Sequence, residues 1–340
     1  MDGLTRRQML CGTGVTALAM ASSARTSPRS AARPGPLNAH SGSWDSKRRA
    51  ALVFGGADER RVLGDLWQFR DNRWNRLSGS GPSPRTFPAV VYDSARDRLV
   101  VFGGNRVLFG DGSPADTLLG DHWEWDGRRW HQYAGLRPPE RTEAACAFDA
   151  TRGRTILFGG WRWQDGKRLR LGDLWEFDGR RWHRSAALGP EPRSGAAMTY
   201  DSKRRQILLA GGNGPRSDLW SLKGDQWRRL TDLPQARFNP ALAFDQLRDQ
   251  VVLFGGWTGK ERIAATSLFD GTAWHRAEGL EPSARNHSLL VPIDDGSRLL
   301  LLGGHTGLDP LLILGDAWEW SGAWHQRYST LPVPRLENGH

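Results

Sequence analysis

Three side chains in this sequence have the types that acid–base chemistry would need: Glu143, His287 and His305. A carboxylate and two imidazoles can pass protons near neutral pH, the work of an epimerase or a lyase. The same groups could in principle hold a metal, but no H-x-x-x-H or comparable spacing joins them, and no metal or other cofactor is expected. The acidic loop Asp111-Gly112-Ser113-Pro114-Ala115-Asp116 is too short and irregular to be a calcium loop. Other residues suit recognition instead: the rings of Trp161, Trp163 and Trp257, and the amides of Asn105, Asn213, Asn239 and Asn286. Flat rings with convergent hydrogen-bonding groups fit a sugar or a peptide. What unites all these candidates is that each breaks a pattern the rest of the chain repeats.

That pattern is clearest from Thr155 to His183, TILFGGWRWQDGKRLRLGDLWEFDGRRWH. A β-rich run ends in Gly-Gly; a loop follows, then G-D-x-W, an aspartate–glycine turn and a second tryptophan. Gly-Gly pairs recur at 55–56, 103–104, 159–160, 211–212, 255–256 and 303–304. Self-similarity at a spacing near fifty residues marks a propeller or a comparable repeat array. Near-continuous apolar runs such as LVVFGG and VVLFGG suit strands buried on both faces. Shorter runs before an aspartate (PAVVYD, AACAFD, AAMTYD, PALAFD) read as the preceding strand. Asp126-Gly127, Asp178-Gly179, Asp270-Gly271 and Ser321-Gly322 read as tight hairpin turns. The expected fold is therefore all-β: a six-bladed β-propeller of four-stranded antiparallel blades.

Most conspicuous residues belong to that frame. Tryptophans seven apart (Trp67/Trp74, Trp123/Trp130, Trp175/Trp182, Trp220/Trp227) fill the widening wedge between blades. Blade five has Ser267 in the first of these positions, and blade six has Trp318 and Trp324. Arg85, Arg141, Arg193, Arg237 and Arg285 each precede an inner strand, and Asp65, Asp121, Asp173, Asp218 and Asp316 lie two residues before the first tryptophan position. Pairing between the two sets is expected. These arginines follow the second tryptophan by eleven residues (ten in one blade), and eleven from Trp324 lands on Arg335, while blade one has Leu37 where its arginine belongs, so the tail is expected to return to blade one and help close the ring. Cys146 takes the place of Val90, Met198 or Leu242 and reads as a core residue. His131, His183, His275 and His325 all follow a second tryptophan and read as outer-edge residues.

Gly-Gly, G-D-x-W, D-G-x-x-W and P-x-R together resemble the kelch repeat, in the variety found in bacterial proteins related to the central domain of galactose oxidase. The resemblance covers roughly residues 38–335 in six units. It implies a propeller, and a range of activities: protein-binding modules, carbohydrate-active enzymes and sialic acid mutarotases. Copper-radical oxidase chemistry of the galactose oxidase kind is not expected. It would need tyrosine ligands and a tyrosine–cysteine cross-link, but Tyr92 and Tyr200 fill a repeat position and Tyr133 and Tyr328 fall on outer strands.

Taking the repeat away leaves Trp161, Trp163 and Trp257, all after a Gly-Gly pair. The second strand ends where the inner strand begins, so these residues, Asn105, Asn213 and His305 are expected at one channel mouth with Glu143, Asn239, Asn286 and His287. The leading reading is a module that binds a glycan or a peptide there. The alternatives are a carbohydrate-active enzyme (an epimerase, mutarotase or lyase) or an interaction scaffold for an envelope protein, which would use the blade edges instead of the mouth.

The ends and the charge bound the setting. Thr5-Arg6-Arg7-Gln8-Met9-Leu10 has the twin-arginine form, and a short apolar run with A-x-A sites follows. Residues 1–24 are read as a signal peptide, 25–37 as a disordered linker, 38–328 as the propeller and 329–340 as the tail. Export to the periplasm or beyond is expected, with no transmembrane segment in the mature chain, which is expected to be a monomer. The formal charge is +10, with arginines spread over the turns of every repeat instead of gathered in a stripe, so nucleic acid is not an expected partner.

Overall fold

The computed structural model describes residues 33–77, 81–107, 115–307 and 311–328. The signal segment, most of the linker, and the tail with Arg335 lie outside the described residues. The fold is all-β, with six four-stranded antiparallel sheets and, among the described residues, only two three-residue helical turns. Blade one is built from Ser41–Asp45, Ala50–Phe54, Leu66–Arg70 and Arg73–Leu77 in that spatial order. The same order holds in the other five, so every blade is contiguous in sequence. The inner strands (Ser41–Asp45, Ala89–Asp93, Ala145–Asp149, Ala197–Asp201, Ala241–Asp245 and Leu289–Ile293) each touch the next, and the last touches the first. Those contacts close a ring.

The apolar second strands are the most buried parts of the chain: Ala50–Phe54 and Gln250–Phe254 have almost no exposed surface beyond Gln250. The second tryptophan of each blade reaches back to the blade before. Trp130 packs on Phe54, Trp182 on Phe102, Trp227 on Phe158 and Trp324 on Phe254, with ring centroids 5.4 to 5.7 Å apart. These rings are interblade filling. Between blades six and one, the Trp74 indole donates to Tyr328 Oη at 3.2 Å, and Leu37 N–H donates to Leu314 O at 3.1 Å.

Arginines fasten the blades on both faces of the ring. On the Gly-Gly face, Arg85, Arg141, Arg193 and Arg285 grip Asp121, Asp173, Asp218 and Asp316 with two hydrogen bonds each, 2.6 to 2.9 Å long. The first-position tryptophan donates its indole N–H to the same aspartate in each case. Each arginine also donates to the first glycine carbonyl of its own blade, and its backbone carbonyl accepts the second glycine N–H of the preceding blade. In blade one, Leu37 takes this backbone position, its carbonyl accepting Gly304 N–H. Asp65 is gripped instead by Arg76 on the outer strand of its own blade.

On the opposite face, in four of the six blades the turn after the inner strand carries an arginine that reaches the next blade. Arg48 donates to Asp126 O, Arg96 to Gly179 O, Arg204 to Asp270 O and Arg248 to Ser321 O. A Cβ on Gly127, Gly179, Gly271 or Gly322 would collide with that guanidinium or its stem. These glycines therefore answer two demands at once, a left-handed backbone and the approach of a neighbouring blade.

Candidate functional site

The two residue sets expected at one mouth do meet through the backbone. Asn105 bridges Thr86, Trp161 bridges Thr142, Trp257 bridges Phe238 and His305 bridges Asn286. Asn213 N–H donates to Ser194 O at 2.9 Å. One residue further along, each blade places a left-handed residue at the channel: Ala39, Phe87, Glu143, Gly195, Asn239 and His287, with φ between 49° and 61°. Only one of the six is glycine, and the left-handed region is costly for the others. The conformation turns their peptide groups along the circumference. Phe87 N–H donates to Ala39 O, Gly195 to Glu143, Asn239 to Gly195 and His287 to Asn239, at 2.7 to 3.4 Å. A hoop of backbone thus narrows this end of the channel around a cavity of about 130 Å³, lined by Glu143, Asn239 and His287 among others.

The three leftover tryptophans do not line that cavity, and neither do Asn105, Asn213, Asn286 or His305. Trp161 is 1% exposed, with the Arg168 guanidinium over its face at 4.2 Å and Trp163 against its edge at 5.8 Å. These residues belong to a hairpin, Trp161–Gln164 paired with Lys167–Arg170, that extends blade three beyond its four strands. Trp257 is half-buried below Arg262, at 5.1 Å. The rings fill their own loops, so the expected aromatic pocket at the mouth is not assembled.

The acid–base candidates are closed in as well. His305 Nδ1 lies 2.8 Å from Gly307 O, a carbonyl, so that nitrogen carries the proton. His305 Nε2 is then the acceptor for His287 Nδ1–H at 3.2 Å. Burial holds His305 down to about 4. Burial, then the neighbouring His305 and Arg262, push His287 well below its ordinary value. Both rings are neutral at physiological pH, and His287 also packs edge-on against Phe87 at 4.8 Å. His131, His183 and His275 sit on the outer edge, each bonded to the aspartate of its own turn. Among the described residues no group of three His, Cys, Asp or Glu could hold a metal ion.

The larger opening is at the other end of the channel and is absent from the sequence-based expectation. It is a cavity of about 440 Å³ lined by all six inner strands. Trp44, Tyr92, Phe148, Tyr200 and Phe244 form its wall, and Ser46, Ser94, Ser202 and Gln246 its lip. The aromatic wall was legible as a repeating position before the aspartate, but repetition made it look like framework alone. Cys146 lines this cavity too; burial pushes its thiol up to about 12, against a weaker opposing effect of the Val90 carbonyl, so it is not a thiolate at neutral pH.

Comparison with known proteins bears on the whole ring. Residues 15–212 match the family model described as the KLHDC2/KLHL20/DRC7 Kelch-repeats domain. The chain is 26% identical over 288 residues to the dynein alpha chain of the flagellar outer arm of Chlamydomonas reinhardtii, covering 75% of this chain and 6% of that one. It is 31% identical over 122 residues to dynein regulatory complex subunit 7 of the same organism, covering 34% of this chain and 10% of that protein. To the human multiple epidermal growth factor-like domains protein 8 it is 25% identical over 184 residues, covering 50% and 6%. The chain thus spans a tenth or less of the length of these curated relatives.

Proposed function

The chain belongs to the kelch-repeat family, and on that premise we propose that it is an interaction module whose partner is a peptide segment, docked on the Gly-Gly face beside the blade-three hairpin. One observation carries the reading: the hairpin that extends blade three presents Lys167, Leu169 and Arg170, all exposed, with the exposed Arg168 lying over Trp161. Cationic side chains around an exposed leucine suit an acidic segment with an apolar anchor. The mouth cavity supports this choice over a glycan at the same end, because about 130 Å³ lies below the 300 Å³ or so at which ligand pockets begin. In the relatives, comparable stretches are small parts of very large chains, which supports a module that connects rather than transforms. The twin-arginine segment supports export, with the partner in the cell envelope.

Fluorescence anisotropy with labelled oligoglutamate and oligolysine peptides tests the docking. Binding of the acidic peptide alone, weakened about tenfold in Lys167→Glu/Arg170→Glu and by added salt, is expected. Equal binding of both peptides, or binding indifferent to the double reversal, would remove the reading. The wider cavity favours a second reading, glycan binding against its aromatic wall; loss of glycan-array signal in Trp44→Ala with retained fold would support it.

A further inference from the structure

The arginine ladder is broken in two blades, and in opposite ways. Among the described residues blade one has no arginine in this place, where Leu37 stands uncharged. Blade five keeps Arg237 but has Ala265 where the other blades have aspartate, and Ser267 where they have tryptophan. Arg237 is 1% exposed. Its Nε donates to Gln235 O at 3.2 Å and its Nη1 to Gly255 O at 3.1 Å, the same backbone acceptors its counterparts use. In the four intact blades Nη1 and Nη2 also meet the two oxygens of a carboxylate. Among the described residues no carboxylate meets Arg237, and burial alone acts on it, bringing its pKa down to about 10.

We infer that blade five presents a carboxylate-binding seat, in which Arg237 takes from a ligand the bidentate partner that the other blades supply from their own aspartates. Three features support the assignment. The guanidinium is already oriented by its two backbone bonds, and Arg–carboxylate forks are strong and geometrically selective. The seat is within reach of solvent, since Ala265 is half-buried and the aspartates in the equivalent position keep 7 to 21% of their side chains exposed. Finally, Ser267 for tryptophan removes the indole that donates to the carboxylate in the four intact blades. Leaving a buried guanidinium uncompensated is costly, and a bound anion relieves that cost. The carboxylate can come from a small organic acid or from an acidic residue of a partner.

Thermal unfolding at matched ionic strength tests this in the full chain, with sodium acetate, sodium benzoate and a blocked Ala-Asp-Ala tripeptide against sodium chloride. The wild type is expected to gain about 2 to 4 °C from the carboxylates over chloride. Ala265→Asp, which fills the seat from within, should melt higher than wild type in chloride and show no carboxylate response. Ala265→Asn, which fills it without charge, should also lose the response and keeps the test available if the aspartate variant does not fold. A larger shift with the tripeptide than with acetate points to a partner's side chain, and the reverse to a small acid; benzoate above acetate places the ligand's body in the tryptophan position. No carboxylate shift in the wild type, or equal shifts in wild type and the Ala265 variants, overturns the inference.

Discussion

Removing one aspartate of the ladder gives the most direct measure of what fastens the ring. In blade three, Asp173 accepts from Arg141 at 2.7 and 2.9 Å and from the Trp175 indole at 2.6 Å. The Arg141 side chain is 1% exposed and that of Asp173 12%. Asp173→Ala strands the guanidinium, and breaking a buried pair from one side costs about 3–5 kcal/mol. Blade five already has alanine at this position, so the cost should fall at the low end, about 3 kcal/mol, or a melting temperature lower by roughly 6 °C. Arg141→Met/Asp173→Ala should recover about 1 kcal/mol or more of that loss, because it removes the stranded charge. The effect should also depend on pH. Burial by itself would raise the Asp173 pKa, but its bonds to Arg141 and Trp175 outweigh that and hold it below 3.8. A carboxylate lowered in the folded state stabilises fully above its unfolded value and loses that contribution as pH falls through the folded one. The gap between wild type and Asp173→Ala should therefore be full at pH 7 and narrow below 3.8. Urea unfolding followed by tryptophan fluorescence at both pH values reads all three quantities. A single-mutant loss under about 1 kcal/mol, or a double mutant no better than the single, would refute the reasoning.

Other outcomes follow from particular contacts. Gly127→Ala forces a side chain into both a left-handed backbone and the Arg48 guanidinium, whereas Gly224, also left-handed, has open space around it. The first should cost about 2–3 kcal/mol and the second about 1, compared by urea midpoints, and equal costs would deny the arginine clamp a role. Burial holds both His40 and His305 at about 4 in the fold, so the unfolded chain takes up more protons between pH 6.5 and 4 and stability should fall across that window. His40→Leu should flatten the urea-midpoint profile there. Cys146 should react only slowly with a thiol reagent at neutral pH in the native state and faster once urea unfolds the chain, since its thiol is held protonated.

The sequence made the ring legible because a propeller writes its frame six times. Strand order, the tryptophan wedges and the candidate arginine–aspartate partners could be read from spacing alone, as Arg85 and Asp121 or Arg285 and Asp316 illustrate. Function was harder for the same reason. Subtracting the repeat isolates exceptions such as Trp161, but it cannot tell an exception that faces a ligand from one that packs its own loop, a difference set by Arg168 lying over the ring. It also hides a site built from the repeat itself, as the wall formed by Tyr92, Phe148 and Phe244 shows. The glycines of the outer turns were readable as left-handed, but their second role depends on an arginine 67 to 83 positions earlier in the chain, as in Arg204 and Gly271 or Arg96 and Gly179. The hoop of left-handed residues gave only a broken signal, because Ala39, Phe87 and Glu143, unlike Gly195 and Asn239, are types that do not advertise positive φ.

Both sets of interblade fastenings point the same way around the axis: turn arginines reach forward from one sheet to the next, and glycine amides reach forward to the following arginine's carbonyl. Each sheet therefore holds its successor in place and is held by its predecessor. Two steps lack the turn arginine's grip: blade three to blade four, where Arg152 keeps a buried nitrogen without a partner and Gly224 has no arginine against it, and blade six to blade one, where the turn at Asp294–Gly296 carries no arginine. Those two joints are the gaps in the chain of turn grips, and they are where hydrogen exchange should first reveal the ring coming apart.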